Sequence, residues 1–411
     1  MIESDPGLPV RKPTATPVVL LAALGCDAGT PSAFHRIDVD LSYGGNGKPG
    51  WVRAADLDGD GDVDLVAGGG FALFAYENDG TSARWTRHGN LDPTGRMGAN
   101  GAVLLDVDGD GDADVFSAQN LGALGWWENP GGPLKTAAWP FHESHPGYGG
   151  WFVHDMLSAD LDGDGEDREV VAALQEGYWE APVRIVGLLP GSDPEKPWRA
   201  LPIDGPRPGP NHCHAGLSRG DVDGDGRVDV GFADGWIEAP DEPGGNWTWR
   251  RVVTDVYGIS NNLLQDLDGD GDLDLVVSGG HHGRGVFWFE APRGPTAGAW
   301  AKHVVDPDVV HPEGLQAGDL DGDGDVDLVA SELHFGEAKG EPGWGEKAHQ
   351  VFVYWNVGTP TAPRWKRENV APDGAPCHLL QLVDIDRDGR LDVIAEGAGF
   401  SSVTVLVSRV E

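Results

Sequence analysis

Short apolar runs rich in Val, Leu, Phe and Trp alternate with clusters of Gly, Asp, Asn and Pro along nearly the whole chain. Helical spacing of apolar positions is scarce, so the pattern predicts strands joined by turns. The runs follow a fixed order. A lead strand such as Trp51-Val-Arg-Ala-Ala55 enters an acidic turn. A β-rich run such as Leu65-Val66-Ala67 leaves it. Gly residues and an aromatic strand come next, as in Leu73-Phe-Ala-Tyr-Glu77, Gly125-Trp-Trp-Glu128 and Val286-Phe-Trp-Phe-Glu290. A last strand with Trp and basic residues closes the unit, as in Arg84-Trp-Thr-Arg87 and Arg364-Trp-Lys-Arg367.

The acidic turn, Asp-x-Asp-Gly-Asp-Gly, begins at Asp56, Asp106, Asp160, Asp221, Asp266 and Asp319, with a degenerate copy at Asp384. Four short strands per unit, repeated at this period, are the blades of a β-propeller. The last unit runs out after Val403-Thr-Val-Leu-Val407 and lacks a fourth strand. Phe34-His-Arg-Ile-Asp-Val39 supplies a spare one. The fold class predicted is therefore all-β: a seven-bladed propeller with four-stranded blades, the N-terminal strand closing the last blade and the acidic loops between first and second strands. Residues 33–411 form one domain, although 411 residues would ordinarily suggest two or three. Residues 1–32 read as an N-terminal arm or a lipoprotein-type signal. Pro17-Val-Val-Leu-Leu-Ala-Ala-Leu24 follows Arg11-Lys12 and precedes Cys26, the residue such a signal would lipidate, while Glu3 and Asp5 are atypical of one.

The formal charge of −38 excludes a basic footprint for nucleic acid and disfavours docking on anionic lipid. No apolar run reaches the roughly 18 residues of a membrane-spanning helix. Three cysteines, Cys26, Cys213 and Cys377, are too few for a disulfide scaffold.

About half of the 67 acidic residues sit in the seven loops. Carboxylates at alternate positions of a tight turn point at one centre, and Gly at the fourth and sixth positions supplies the backbone freedom the turn needs. An oxygen-only set at this spacing suits a hard cation, Ca²⁺ first, at about six or seven structural sites. The expected ligands are Asp56, Asp58, Asp60 and Asp64 in the first loop, and Asp106, Asp108, Asp110 and Asp114 in the second. The third offers Asp160, Asp162 and Asp164, with Glu169 in place of the final Asp. Asp221, Asp223, Asp225 and Asp229 form the fourth set, and Asp266, Asp268, Asp270 and Asp274 the fifth. Asp319, Asp321, Asp323 and Asp327 form the sixth, and Asp384, Asp386, Asp388 and Asp392 the seventh. Arg387 stands where the seventh loop should have Gly, and its guanidinium is a candidate to replace the ion.

The Asp-x-Asp-Gly-Asp-Gly-x-x-Asp motif, followed by a short β run and Gly, resembles the FG-GAP / VCBS repeat family from roughly Phe34 to the C-terminus. That resemblance implies the propeller and the calcium loops. It does not imply one activity, since members include integrin-type ligand-binding propellers, lectins, polysaccharide lyases and the propeller of aldos-2-ulose dehydratase.

Propeller ligands usually bind where the innermost strands begin, opposite the acidic loops, and that face is rich in His. Six residues before each acidic loop stand Gly50, Asn100, His154, Ala215, Ser260, Glu313 and His378. Equivalent positions in a ring face a common axis, so His154, Glu313, His378 and the neighbouring His214 are expected to converge. His212, His214, His311 and Glu313 have the make-up of a transition-metal site, zinc or another divalent ion. His154 or His378 is the expected base, with His214 near, and Tyr257 or Tyr148 the acid. Arg96, Tyr178, Trp179, His282 and His334 lie in rim loops as substrate-binding candidates, and Trp236 and Trp344 offer further ring faces for stacking. Each of these His can equally cap a strand end. The leading expectation is a carbohydrate-active lyase or dehydratase that removes a proton next to a carbonyl or carboxylate. A lectin-like propeller, an epimerase or isomerase, and an interaction scaffold are the alternatives. A carbohydrate or small polar substrate is the expected partner. Calcium loops and the leader predict a secreted or cell-surface protein, with the cytoplasm as the alternative.

Overall fold

In the computed structural model, residues 33–409 are described except 44–48, 121, 135–136, 148–150, 177–182, 208–215, 243, 257–258, 260, 280–282, 297, 334–348, 360, 376–377 and 397–401. The leader and Cys26 therefore lie outside the described residues, as do Cys213 and Cys377.

Seven four-stranded antiparallel sheets make up the described chain. Strand β1 (Phe34–Asp40) stands apart in sequence. The innermost strands are β2 (Trp51–Ala55), β6 (Val103–Leu105), β10 (Trp151–Ala159), β14 (Leu217–Gly220), β18 (Asn261–Gln265), β22 (Leu315–Gly318) and β26 (Leu379–Val383). The second strands are β3 (Asp64–Gly69), β7 (Asp114–Ala118), β11 (Glu169–Glu176), β15 (Asp229–Phe232), β19 (Asp274–Ser278), β23 (Asp327–Glu332) and β27 (Asp392–Glu396). The third are β4 (Ala72–Asn78), β8 (Leu124–Trp127), β12 (Val183–Leu189), β16 (Gly235–Glu238), β20 (Arg284–Glu290), β24 (Gln350–Asn356) and β28 (Val403–Ser408). The outer strands are β5 (Trp85–Arg87), β9 (Phe141–His145), β13 (Arg199–Arg207), β17 (Thr248–Arg251), β21 (Ala301–Val310) and β25 (Trp365–Asn369). The seventh sheet runs β1-β28-β27-β26, with Phe34 opposite Ser408 and Ile37 opposite Val405. The N-terminal strand thus closes the last blade, as the sequence predicts.

Why the middle strands read as continuous apolar runs is visible in their burial. Every residue of β3, β7, β19 and β23 is buried, because a blade packs both faces against its neighbours. The cores accordingly lie between blades. Ile37, Val405 and Ile394 of the last blade pack with Val52, Leu65 and Phe74 of the first. Each inner strand touches the next, and β26 touches β2, so the ring closes. Close approach fixes one glycine: a Cβ on Gly68 would lie 2.1 Å from the Trp51 ring.

Candidate functional site

The two rims of the ring differ in chemistry. On one rim, each acidic loop joins an inner strand to its second strand. In the first loop the Gly59 N–H donates to Asp56 Oδ1 at 2.8 Å, the Asp60 N–H to Asp58 Oδ1 at 3.2 Å and the Asp62 N–H to Asp60 Oδ1 at 2.8 Å. Gly59 and Gly61 take φ of 74° and 91°, a region that costs L side chains strain. The closing carboxylate has a separate task. Asp64 Oδ1 accepts from the Asn78 N–H at 2.8 Å and Oδ2 from the Leu57 N–H at 3.1 Å, tying the turn to the third strand. Glu169 takes this part in the longer third loop, accepting from the Leu161 N–H at 2.8 Å.

These loops suit a hard cation. Asp56, Asp58 and Asp64 bring three carboxylate oxygens within 4.8 Å of one another, as do Asp106, Asp108 and Asp114, then Asp160, Asp162 and Glu169. Asp221, Asp223 and Asp225, and Asp266, Asp268 and Asp274, form the same kind of group. Burial, with neighbouring carboxylates adding to it, pushes Asp64 up to about 7 and Asp114 to about 8. Asp223 Oδ1 and Asp384 Oδ1 are buried with no hydrogen-bond partner. Crowded carboxylates, two of them with an orphaned oxygen, are what a bound divalent ion would satisfy. The seventh loop differs from the expectation. Arg387, at φ 59°, directs its guanidinium to Asp62 of the first loop at 3.3 Å, bridging two blades instead of filling its own loop.

The other rim and the axis are where the aligned His and Glu converge in part. His378 Nε2 lies 2.9 Å from Glu313 Oε2, joining the seventh blade to the sixth. Burial would depress the His378 imidazole, but Glu313, helped by Glu396, holds it above the ordinary histidine value. Its Nδ1 is buried without a partner. Glu396, at the end of β27, is buried, with Oε2 accepting the Val52 N–H of the first blade and Oε1 unpartnered. Burial pushes it up to about 7, while Arg53, His378 and the Val52 N–H pull the other way. Arg53 Nε donates to the Ala102 carbonyl at 2.8 Å, and Arg53 acts electrostatically on both Glu396 and Asp155. Asp155 accepts the Leu217 N–H at 2.8 Å and is itself raised by burial.

All seven blade junctions carry such a tie. Arg53 to Ala102, Asn100 N–H to Val153 at 3.1 Å, and Leu217 N–H to Asp155 hold the first four blades. Ser218 to Asn262 at 2.8 Å, Asn261 to the Glu313 carbonyl at 3.3 Å, His378 to Glu313, and Val52 N–H to Glu396 complete the circle. His378 and Glu396 are therefore both structural fasteners and titrating groups.

The remaining candidates separate. His154 is buried at a bulge in β10, between Val153 and Asp155. His311 sits at φ 46° in the turn before β22, and its neighbour Glu313 faces His378. Arg96 is exposed on the loop leading to β6. Tyr148, Tyr178, Trp179, His212, His214, Tyr257, His282, His334 and Trp344 lie outside the described residues. Trp236 is fully buried inside β16 and offers no ring to a ligand, which corrects the expectation for it. Arg53, Asp155 and Glu396 are absent from the sequence candidates. A signal for Glu396 exists: aligned from the closing acid, the second strands read Gly68, Ala118, Ala173, Ala233, Ser278, Ser331 and Glu396.

No curated protein matches the chain in sequence. Among solved structures, BBS1N in complex with ARL6DN is similar at 12% identity and TM-score 0.54, over 92% of this chain and 98% of that one. A Bacillus licheniformis rhamnogalacturonan lyase matches at 17% identity and TM-score 0.47, over 88% and 72%. An Agrocybe aegerita lectin that recognises non-reducing terminal N-acetylglucosamine matches at 19% identity and TM-score 0.48, over 79% and 80%. Likeness at these identities speaks for the fold alone. Among the described residues no helix is long and apolar enough to cross a membrane. The FG-GAP-like repeat matches residues 56–117, 106–167 and 266–330, so the chain is a seven-bladed β-propeller that carries FG-GAP-like repeats over those residues.

Proposed function

We propose that the protein is a carbon–oxygen lyase acting on a carbohydrate, with its acid–base centre at the seam of blades six, seven and one. The observation that carries this reading is the pair of buried, unpartnered atoms His378 Nδ1 and Glu396 Oε1, on a carboxyl that burial raises to about 7 and an imidazole that Glu313 and Glu396 hold above the ordinary histidine value. General acid–base groups work best with such values, and perturbed pairs of this kind cluster at functional sites. In the elimination, the Glu396 carboxylate takes the proton next to the substrate's carbonyl or carboxylate. The electron pair forms the double bond, the β carbon–oxygen bond breaks, and the His378 imidazolium protonates the departing oxygen. Glu313 orients His378. A surround of Arg, Asp, Glu, His and Asn suits a polyhydroxylated substrate better than an apolar one.

We infer further that the acidic loops hold calcium, with the first, third and closing carboxylates as ligands. The ion would neutralise the crowded carboxylates and stiffen each turn. Elemental analysis of desalted protein tests this, with several calcium ions per chain expected and none overturning it.

The His378→Gln variant tests the centre, because Gln keeps a donor for Glu313 and cannot titrate. Unsaturated product is followed by its ultraviolet absorbance on a panel of acidic polysaccharides and keto-sugars. The expected result is wild-type turnover on at least one substrate and a loss of about 10²-fold or more in the variant at unchanged stability. Turnover equal in both proteins, or absent in the wild type on every substrate, sinks the reading.

A further inference from the structure

A second site lies away from the axis, on the acidic-loop rim between blades six and seven. A groove of about 410 Å³ opens there beside the β1 seam, with Phe34, Leu320 and Trp355 on its apolar wall. The Phe34 and Trp355 rings stack at 6.3 Å and 22°, and Trp355 keeps part of its surface in solvent. Three cations, Lys366, Arg390 and Arg409, stand around this wall. None of the three makes an ion pair among the described residues. In a chain of charge −38, where most neighbouring rim loops are acidic, three unspent cations at one groove are an anomaly. The three come from separate elements: Lys366 from β25, Arg390 from the seventh acidic loop and Arg409 from just after β28. Two carboxylates line the groove beside the three cations: Asp321 of the sixth acidic loop, and Glu368, which accepts Trp355 Nε1 at 2.9 Å and the Ala33 N–H at 3.3 Å.

We propose that this groove binds an acidic saccharide, a uronate unit laid with its apolar face on Trp355 and its carboxylate among Lys366, Arg390 and Arg409. A sugar ring presents C–H bonds to an aromatic face, and its carboxylate finds charge-assisted hydrogen bonds from unpaired guanidinium and ammonium groups. The choice of a saccharide rests on the carbohydrate reading of the axial centre. The site is separate from that centre, so it would hold a polymer without reacting with it.

Isothermal titration of the full chain with a glucuronic-acid tetramer, against the neutral glucose tetramer, tests the proposal. Binding of the acidic tetramer alone is expected. Lys366→Glu with Arg390→Glu should weaken it about tenfold or more, and Trp355→Phe should weaken it while keeping a ring on Phe34. His378→Gln should leave it unchanged, which separates this groove from the axial centre. Equal binding by wild type and the charge-reversed variant overturns the proposal, as does equal binding of the neutral tetramer. Loss of binding in His378→Gln assigns the measured affinity to the axis and overturns it too, and displacement of the tetramer by inorganic phosphate at the same concentration makes the groove a phosphate site instead.

Discussion

Replacing Glu396 by Gln should stabilise the protein in alkaline solution and leave it little changed in mild acid. The side chain is buried and held near 7, against an ordinary value of 4.5. The folded state therefore binds a proton more tightly than the unfolded chain, and stability falls as pH rises from about 4.5 through about 7. At about 1.4 kcal/mol per pKa unit, the loss across that window is on the order of 3 kcal/mol. Gln presents an oxygen to the Val52 N–H as Glu does, but it never has to lose a proton in a buried place. The attraction of Arg53 for the Glu396 carboxylate exists only when Glu396 is ionised and is already contained in its value of about 7, so it adds no separate term. The slope carries the test. Urea unfolding at pH 5 and pH 8, at fixed calcium and followed by Trp fluorescence, should show the variant gaining on wild type by on the order of 3 kcal/mol between the two. Groups remote from Glu396 that titrate in this range cancel, because both proteins contain them; His378, which Glu396 helps to hold up, contributes with the same sign. A difference that stays flat, or one in which wild type gains as pH rises, would refute the reasoning.

At the outer edge, Asp306 accepts from Tyr354 Oη and Arg367 Nη1, both at 2.9 Å, locking blade five to six. Asp306→Ala leaves Tyr354 Oη unpaired and Arg367 with Glu332 at 3.8 Å as its remaining ion pair, and should cost about 2 kcal/mol in urea unfolding. Asp40 accepts from Tyr76 and Arg87 in the same manner at the closing seam, so Asp40→Ala should cost as much. Gly68→Ala forces a methyl group into the Trp51 ring and should lower the unfolding free energy by about 3 kcal/mol in urea unfolding, where Gly59, open on all sides, resists Ala only through its φ of 74°. If the acidic loops hold calcium as proposed, a chelator should lower the thermal midpoint, and calcium added in excess should restore it.

The architecture was legible because the propeller repeats itself. Seven acidic turns at one period give the blade count, and the missing fourth strand of the last unit finds Phe34–Asp40 by elimination. Aligning first-strand entries by the same turns picked out Glu313 and His378, which do meet. The procedure stopped one strand early. Glu396 shows only when the second strands are aligned, where six small residues leave room at the axis and the seventh blade puts a carboxylate into it. Arg53 was hidden because an Arg in a short strand reads as a solvated side chain, whereas its guanidinium fastens two blades. Asp155 was hidden by the bulge after Val153, which takes His154 out of the simple alternation and gives Asp155 the junction position. Arg387 was read within its own loop, but loops on one rim are neighbours in space, and its guanidinium finds Asp62. Trp236 looked like a rim residue because its strand is only four residues long.

Symmetry explains where chemistry can gather. Seven identical blades would present seven identical polar ties to the axis, each fully spent on holding a junction. In this ring three junctions are fastened by main-chain groups or by neutral side chains. Of the titratable ties, Asp155 to Leu217 stands alone, while Glu313 to His378 and Glu396 to Val52 fall at two consecutive junctions, with Arg53 adjoining. Each of these two fasteners leaves one atom over, His378 Nδ1 and Glu396 Oε1, that no junction uses. A buried polar atom without a partner costs roughly 1–3 kcal/mol, so a ring built only for stability would have put a small residue or an apolar one there, as the other second strands do. The departures from repetition on both rims, the axial carboxylate and the Arg387 that replaces a loop glycine, belong to the same blade. That blade is assembled from both ends of the described chain, and its sequence is the one least tied to the repeat it completes.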